Sequence, residues 1–348
     1  MQKKPRKLHG GDIYRHPDVI DFSVNTNPLG TPESVKRAVQ ESVAKIEHYP
    51  DVRCEALREA ISRFEQVNME EILCGNGAAE LFFAAVQAVW PQKALVIAPS
   101  FSEYEEALRS VGAEVEYYYL CEEDNFQIRG DYVDKLSEEI DMIFLCNPNN
   151  PTGQTIDRDM LIKILDRCKK QNIVVILDEC FLEFLDEPNR YEMSDLRGEY
   201  PNLLIIKAFT KIFSMPGLRL GYAISSNQDI LEEMSWKLQQ WNVSVPAQMA
   251  GVAALEKPKE YIRQTREYVS GQREYMRNIM KMMGYVVLAS KANYLFFKGR
   301  PGLEKEALEA GFLIRDCQNY EGLSEGFYRI AVRTKEENER LITWLGRL

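Results

Sequence analysis

The sequence lacks any long hydrophobic run. No apolar stretch in its 348 residues approaches the roughly 18 that a membrane-spanning helix requires. The basic N-terminal residues 1–7 are not followed by an apolar stretch, so we expect no signal peptide. We find no internal repeat and no low-complexity linker. These absences predict a soluble protein without a membrane partner.

The sequence also lacks the cysteine patterns of metal sites. Its seven cysteines form no Cys-x-x-Cys pair and, with only three histidines, no cluster of Cys and His. Several lie within apolar runs, where cysteine behaves as a small hydrophobic residue. We therefore expect no metal and a reducing, cytoplasmic location. The formal net charge of −10 argues against nucleic acid as a partner, and any anion site must be built from locally concentrated arginines.

The chain alternates apolar runs with amphipathic helical patterns, such as 102–111 and 159–170. This alternation predicts an α/β fold with a mostly parallel sheet covered on both faces. Its strands are expected at 94–98, 115–120, 142–146, 174–177, 203–209 and 221–224. Beyond residue 241 the pattern changes to long charged helices from residue 257 to about 283, followed by short strands at 285–288, 292–297 and 328–332. The change predicts a large domain (36–245) and a small C-terminal α+β domain (246–348), with an N-terminal arm (1–35) that joins the small domain.

A lysine that follows a predicted strand is the most informative single residue. Lys211 comes after the apolar run 203–206, and Arg219 follows eight residues later. Low dielectric favours the neutral amine, which is the form that condenses with an aldehyde. The arginine can bind a phosphate as a planar, permanently charged group. Alone, the pair also fits a solvated lysine beside a structural arginine, so the interpretation depends on other segments.

Two further apolar runs end in polar residues that suit an aromatic ring. The run 174–177 ends at Asp178, and the run 142–146 leads into the turn Asn147–Gly153, which reads Asn-Pro-Asn-Asn-Pro-Thr-Gly. The carboxyl ends of parallel strands carry function in this kind of sheet. An aspartate can pair with a protonated pyridine nitrogen, and an asparagine amide can donate to a phenolate oxygen. With the amine of Lys211, this set meets the needs of pyridoxal phosphate.

The three motifs, in this order and spacing, resemble the fold-type I pyridoxal-phosphate enzymes of the aminotransferase family. The resemblance extends over nearly the whole chain. It implies a large domain with a seven-stranded, mostly parallel sheet and a small α+β domain. It also implies pyridoxal 5'-phosphate as cofactor, Lys211 and Asp178 as catalytic residues, and a homodimer with shared active sites.

The resemblance assigns further residues to the cofactor. The turn Gly75–Gly77 opens a helix whose first N–H groups can point at an anion, although a Gly-x-Gly turn is a weak signal alone. Phe101 matches the residue that stacks on the ring, and Tyr49 matches one that the neighbouring subunit contributes to the phosphate. Without the family these would be a core phenylalanine and an ordinary turn. The cofactor residues implied are Tyr49, Gly77, Ala78, Ala79, Phe101, Asn150, Asp178, Thr210, Lys211 and Arg219.

The N-terminal segments Leu8–Asp12 and Asp21–Gly30 bear on the reaction. They resemble most closely the branch of the family that decarboxylates O-phospho-L-threonine in cobalamin side-chain synthesis, as does the C-terminal segment Leu313–Cys317. Transamination of histidinol phosphate in histidine synthesis remains the alternative, and a non-catalytic cofactor-binding or regulatory protein is a third hypothesis. The resemblance to the decarboxylating branch implies that the substrate, which carries two anionic groups, is held by His9, Gly10, Asn25, Asn150, Arg315 and Arg329.

Two positions depart from the family pattern. Phe181 occupies a position at which most aminotransferases of this fold have a tyrosine whose hydroxyl donates to the cofactor's phenolic oxygen, and the decarboxylating branch shares this departure. Ala208 occupies the position of a Ser or Thr that usually binds the phosphate. Thr210 and Arg219 remain, so we expect cofactor binding to survive.

Overall fold

A computed structural model describes residues 10–348 of the protein. The strands over these residues are β1 (Ile20–Asp21), β2 (Ile72–Gly75), β3 (Lys93–Ala98), β4 (Glu114–Tyr119), β5 (Met142–Cys146), β6 (Val174–Asp178), β7 (Leu203–Ala208), β8 (Gly221–Ile224), β9 (Val286–Val287), β10 (Tyr294–Lys298), β11 (Phe312–Leu313), β12 (Arg315–Asp316) and β13 (Phe327–Ala331). The α-helices are α1 (Glu33–Ser42), α2 (Glu55–Glu65), α3 (Ala78–Val89), α4 (Glu103–Ser110), α5 (Arg158–Gln171), α6 (Phe209–Ile212), α7 (Gln228–Lys237), α8 (Val245–Ala254), α9 (Pro258–Met282), α10 (Leu303–Glu309) and α11 (Lys335–Leu345).

Seven strands form the central sheet in the order β2-β8-β7-β6-β5-β3-β4. Neighbouring strands run parallel except where β8 pairs antiparallel with β2 and β7. Every residue of β5, β7 and β8 is buried, as expected for a sheet whose two faces are both covered. The α/β fold predicted from the sequence, with its seven-stranded sheet, is confirmed.

The predicted strands agree closely with those of the sheet. The bounds of β5 and β8 are the predicted ones, β3, β6 and β7 differ by one residue at one end, and β4 is shifted by one residue at both ends. The prediction missed β2, which has only four residues and lies directly before the glycine turn. Such a short run carries too little alternation to mark a strand.

The C-terminal part of the chain has its own sheet, ordered β12-β13-β10-β9 and antiparallel throughout. It packs around a separate core that includes Met276, Leu295 and Ile330. Phe22 lies in the same core, and β1 pairs in parallel with β11. The N-terminal segment thus packs with C-terminal residues. The domain boundaries after residues 35 and 245 stay a prediction.

The longest helix, α9, has 25 residues and one buried face. Ile262, Val269 and Met276 are buried at seven-residue intervals, which is the spacing of an amphipathic helix packed on a core. Its outer face carries charged side chains paired with one another, such as Arg263 with Glu267. Over residues 10–348, no helix is both long and apolar enough to cross a bilayer.

Candidate active site

A cavity of about 370 Å³ opens at the carboxyl ends of β5, β6 and β7, whose last residues all line it. Strands that run parallel bring their carboxyl ends to one edge of the sheet, so residues far apart in sequence meet there. Most of the residues predicted for cofactor and substrate line this cavity: Gly10, Asn25, Ala78, Ala79, Phe101, Asn150, Asp178, Thr210, Lys211, Arg219, Arg315 and Arg329.

Three other predicted residues are not among those that line the cavity. His9 lies outside the described residues. Gly77 lies immediately beside the cavity as the N-cap of α3. Tyr49 lies on the surface, 79% exposed, and its ring stacks on Trp241 with 4.5 Å between centroids. The contribution of Tyr49 to a neighbouring subunit's phosphate site stays a prediction.

Lys211 lies in the short helix α6, which directly follows β7. Its Nζ atom lies 5.9 Å from the ring centroid of Phe181. Burial, together with the positive charges of Arg329 and Arg219, lowers the pKa of Lys211 from 10.5 to about 8, although Cys180 and Asp178 oppose the change. A larger fraction of this amine is therefore neutral near pH 7 than of an exposed lysine, which suits a nucleophile.

Asp178 is the buried last residue of β6. Its Oδ1 accepts a hydrogen bond of 2.9 Å from the backbone N–H of Cys180, and its Oδ2 accepts one of 2.5 Å from the hydroxyl of Tyr104. Burial raises the pKa of Asp178, while these two hydrogen bonds and the charge of Lys211 oppose the rise. A carboxylate oriented by neutral donors in this way can pair with a cationic ring nitrogen at the cavity.

The N-terminus of α3 forms one part of the cavity wall. Gly77, with φ at 86°, precedes the helix, and the N–H groups of Ala78 and Ala79 are among those that have no partner within the helix. A Cβ atom on Gly77 would lie 2.5 Å from Nη2 of Arg219, so glycine leaves the room that this guanidinium occupies. With the hydroxyl of Thr210, these donors fit a phosphate group. Together with the carboxylate and amine described above, they fit pyridoxal phosphate.

Two arginines lie directly opposite each other in the small sheet, Arg315 on β12 and Arg329 on β13. Arg329 donates to Oδ1 of Asn150 and, at 2.6 Å, to the backbone oxygen of Ser23. Arg315 donates to two uncharged oxygens of its own segment, both at 2.7 Å. Within residues 10–348 neither guanidinium forms an ion pair with a carboxylate. Like charges directly opposite are unfavourable, so this arrangement suits an anionic ligand.

Asn25, which also lines the cavity, provides an available hydrogen-bond acceptor. Its backbone oxygen accepts a hydrogen bond of 3.1 Å from Nδ2 of Asn293. Its side-chain Oδ1 is buried and has no hydrogen-bond partner among the described residues. Because buried polar atoms are normally paired, this oxygen is available to a donor on a bound ligand.

Sequence reasoning missed several residues of the site. The hydroxyl of Tyr104 reaches Asp178 from α4, and its position one helical turn after Phe101 is a signal that could have indicated a shared face. Tyr320 follows β12 in an irregular segment, where no periodicity marks it. Other unpredicted lining residues are Ser23, Val24, Phe82, Glu103, Cys146 and Cys180.

The family model for aminotransferase class I and II matches residues 17–345. The chain therefore belongs to this family, as the motifs predicted. The members of this family to which the chain is similar depend on pyridoxal phosphate. The predicted cofactor, and the prediction that the protein is an enzyme, are therefore confirmed.

Similar proteins include members with different reactions. The threonine-phosphate decarboxylase of Salmonella typhimurium is 36% identical, over 97% of this chain and 95% of its own length. The adenosylcobalamin biosynthesis bifunctional protein CobDQ of Leptospira interrogans is 32% identical, over 93% of this chain and 38% of its own length. The crystal structure of the histidinol-phosphate aminotransferase from Clostridium acetobutylicum has a TM-score of 0.88 and 30% identity, and the match covers 94% of this chain and 98% of that one.

Proposed function

We propose that the protein decarboxylates O-phospho-L-threonine to (R)-1-aminopropan-2-yl phosphate, a reaction of cobalamin side-chain biosynthesis. The observation that carries the proposal is the opposed pair Arg315 and Arg329 at the cavity, which has no carboxylate partner within residues 10–348. This substrate has a phosphate and a carboxylate, so it offers one anionic group for each arginine. The similarity to the decarboxylase of Salmonella typhimurium supports the same reaction.

The roles of the cavity residues follow from their chemistry. When bound, pyridoxal phosphate supplies an aldehyde for the substrate amine and a conjugated ring that accepts the electron pair of a breaking bond. Asp178 would pair with the ring nitrogen, and Arg219 and the N-terminus of α3 would bind the cofactor phosphate. Phe101 would contact the face of the ring, and Asn150 would donate to its phenolic oxygen.

The substrate's orientation decides which bond at Cα breaks. By holding both anionic ends, Arg315 and Arg329 would orient the substrate so that the bond from Cα to the carboxylate is the one that breaks. Asn25, Gly10 and His9 complete the substrate contacts in this proposal. Lys211, with a pKa of about 8, then holds the proton that is delivered to Cα after CO₂ leaves.

Transamination of histidinol phosphate is the second candidate, and the similarity to the aminotransferase from Clostridium acetobutylicum supports it. In that reaction the substrate would be oriented so that the Cα–H bond breaks, and Lys211 would remove the proton. Histidinol phosphate has no carboxylate, so it uses only one of the two anion positions that Arg315 and Arg329 provide.

A turnover assay without any 2-oxo acid separates the two candidates. The holoenzyme is given O-phospho-L-threonine, and CO₂ is measured over many turnovers. A decarboxylase returns the cofactor to its starting form in each cycle, so we expect sustained release. An aminotransferase would release no CO₂, and it would consume at most one equivalent of substrate because no 2-oxo acid is present to regenerate the cofactor. Turnover of histidinol phosphate with 2-oxoglutarate, together with no CO₂ from phosphothreonine, would overturn the first proposal in favour of the second.

We further propose a cytoplasmic homodimer. Tyr49 and Trp241 form an exposed stacked pair, and Val43, Ile46 and Val52 are also exposed near Tyr49 in sequence. Exposed apolar and aromatic patches are typical of interfaces between subunits. All seven cysteines are free thiols, which is in keeping with a reducing compartment.

A further inference from the structure

Tyr320 contacts two of the residues to which the proposed function assigns ligand binding. Its hydroxyl donates to Oδ1 of Asn150 at 3.3 Å. The guanidinium of Arg315 lies over its ring, with Cζ 5.2 Å from the centroid. The side chain is only 7% exposed and lines the cavity. One tyrosine thus joins the asparagine on the cofactor side to an arginine on the substrate side.

The hydroxyl bears on the orientation of the Asn150 amide. Oδ1 of Asn150 accepts hydrogen bonds from both Tyr320 and Arg329. A reversed amide would set its NH₂ group against the guanidinium, and both groups are donors only. The amide oxygen is therefore fixed on the side of Tyr320 and Arg329. Its NH₂ group is left to donate to a ligand, and the charged partner on the oxygen strengthens that donor.

The ring bears on the orientation of Arg315. A guanidinium over an aromatic face gains both cation–π attraction and stacking. Nη2 of Arg315 also donates to Asn319, at 2.7 Å, in the same segment as Tyr320. These contacts hold the plane of the guanidinium before a ligand arrives, which lowers the entropy lost on binding.

We propose that Tyr320 is a positioning residue with two separable roles. Its hydroxyl directs the Asn150 amide to the phenolic oxygen of the cofactor, and its ring directs Arg315 to an anionic end of the substrate. The identity of that substrate rests on the proposed function. The first role has added weight in this chain because Phe181, which lines the same cavity, has no hydroxyl to donate to that oxygen.

Two substitutions separate the roles. Tyr320→Phe removes the hydroxyl and keeps the ring, whereas Tyr320→Leu removes both. Tyr119→Phe is the matched control, because its hydroxyl donates to Glu321, the next residue after Tyr320, at 3.1 Å, and Tyr119 does not line the cavity. Each variant is tested as the holoenzyme, and Tyr320→Met replaces the leucine variant if the latter does not fold.

The first measurement is the pH midpoint of the visible absorption of the bound cofactor, taken without substrate. Both Tyr320 variants should raise this midpoint by about 0.5–1 pH unit, the equivalent of weakening one hydrogen bond. The rise follows because a weaker donor to the phenolic oxygen favours its protonated form. The control should not change the midpoint. An unchanged midpoint in Tyr320→Phe would overturn the role of the hydroxyl.

The second measurement is KM for O-phospho-L-threonine. Tyr320→Leu should raise KM about 5- to 30-fold, the range for loss of a partly desolvated cation–π contact, with a much smaller fall in kcat. Tyr320→Phe should stay within about threefold because the ring remains beneath Arg315. Equal KM values in the two variants, or the same rise in Tyr119→Phe, would overturn the role of the ring.

Failure of the proposed function would be visible separately. If the wild-type enzyme releases no CO₂ from phosphothreonine, the absorption midpoint still decides the role of the hydroxyl. The role of the ring is then decided by the Kd of inorganic phosphate, read from its effect on the cofactor spectrum. That Kd should rise in Tyr320→Leu and not in Tyr320→Phe, and equal values would overturn this part of the inference.

Discussion

Nη2 of Arg219 lies 2.5 Å from the position that a Cβ atom on Gly77 would occupy. Gly77 also has φ at 86°, a conformation that residues with a side chain rarely adopt. Gly77→Ala must therefore displace the guanidinium or the start of α3. We expect the affinity for pyridoxal phosphate to fall by about tenfold or more, or about 1.4 kcal/mol, in a titration of the cofactor-free protein.

Gly112→Ala is the control for this substitution. Gly112 has a similar φ of 81°, but nothing lies within 4 Å of a Cβ atom added to it. The change should cost about 1–3 kcal/mol of stability through backbone strain alone and leave cofactor affinity unchanged. Equal losses of affinity in both variants would show that strain, and not the contact with Arg219, is responsible.

Lys211 should carry the cofactor covalently. Reduction with borohydride after incubation with pyridoxal phosphate should label this lysine, because its lowered pKa of about 8 favours the neutral amine. Lys207 is an internal control four residues earlier. Burial alone would lower the pKa of Lys207, but nearby carboxylates, with Glu65 the strongest, raise it well above 10.5. This lysine should therefore remain protonated and unlabelled. Peptide mapping by mass spectrometry checks both, and label on any other lysine would contradict the assignment.

The lowered pKa of Lys211 also makes stability depend on pH. Between pH 8 and 10.5 the unfolded chain binds more protons at this residue than the folded protein, so its contribution to stability rises with pH over that window. Below pH 8 the buried charge is a constant penalty. Lys211→Met should therefore raise the free energy of unfolding of the cofactor-free protein at pH 7 by about 3 kcal/mol.

Urea unfolding at pH 7 and pH 10 checks this effect. The gain from Lys211→Met should shrink at the higher pH, where the wild-type amine is neutral in the folded state. A variant that is less stable than wild type at pH 7 would show that the amine makes contacts worth more than its burial costs.

Substitution of either opposed arginine should impair catalysis without loss of cofactor. Arg315→Ala and Arg329→Ala each remove one partner of an anionic group in the cavity, which costs about 2–5 kcal/mol in kcat/KM. Affinity for pyridoxal phosphate should be unchanged in Arg315→Ala and only slightly lower in Arg329→Ala, because Arg329 also donates to Asn150. Arg333→Ala is the control, because Arg333 follows β13 and pairs with Glu337 away from the cavity. Wild-type kcat/KM in Arg329→Ala would refute the substrate assignment.

The shared site of the proposed dimer can be tested by complementation. Tyr49 lies on the surface of its own chain, so its predicted partner is the neighbouring subunit's cavity. Heterodimers of a Tyr49→Phe chain and a Lys211→Ala chain should regain activity, since one of the two sites keeps both residues. Homodimers of each variant provide the baseline, and verified heterodimers with no recovery would contradict a shared site.

The sequence was sufficient to predict the elements whose signals are local. β5 and the first four residues of β7 are continuous apolar runs because the sheet is covered on both faces, and recognisable motifs follow both strands. The predicted strand at 203–209 even contained Lys207, but nothing in the sequence indicated its surroundings. Its Nζ lies 2.9 Å from Oε2 of Glu65 and 3.7 Å from Oε2 of Glu179, all buried. Such a network brings distant segments together, and local patterns cannot specify it.

The same distinction applies within the site. Lys211, Asp178 and Asn150 follow strands in motifs, so their convergence could be predicted from a parallel sheet. The hydroxyl of Tyr320 meets Asn150 across 170 positions, through an irregular segment of the small domain. Such a contact depends on how the C-terminal part of the chain packs against the central sheet. The sequence pattern of neither part contains that information.

The bond from Arg329 to the backbone oxygen of Ser23 joins residues 306 positions apart, and it bears on the order of events during synthesis. All seven strands of the central sheet are made by residue 224, so a ribosome-bound chain can form early those parts of the cofactor site that lie on this sheet. The substrate-binding side of the cavity forms only later, because β1 pairs with β11 and the backbone oxygen of Ser23 accepts a hydrogen bond from β13. A chain truncated before Arg329 would keep all the strands of its central sheet and still lack the substrate-binding side of the cavity, which in the proposed function selects the reaction.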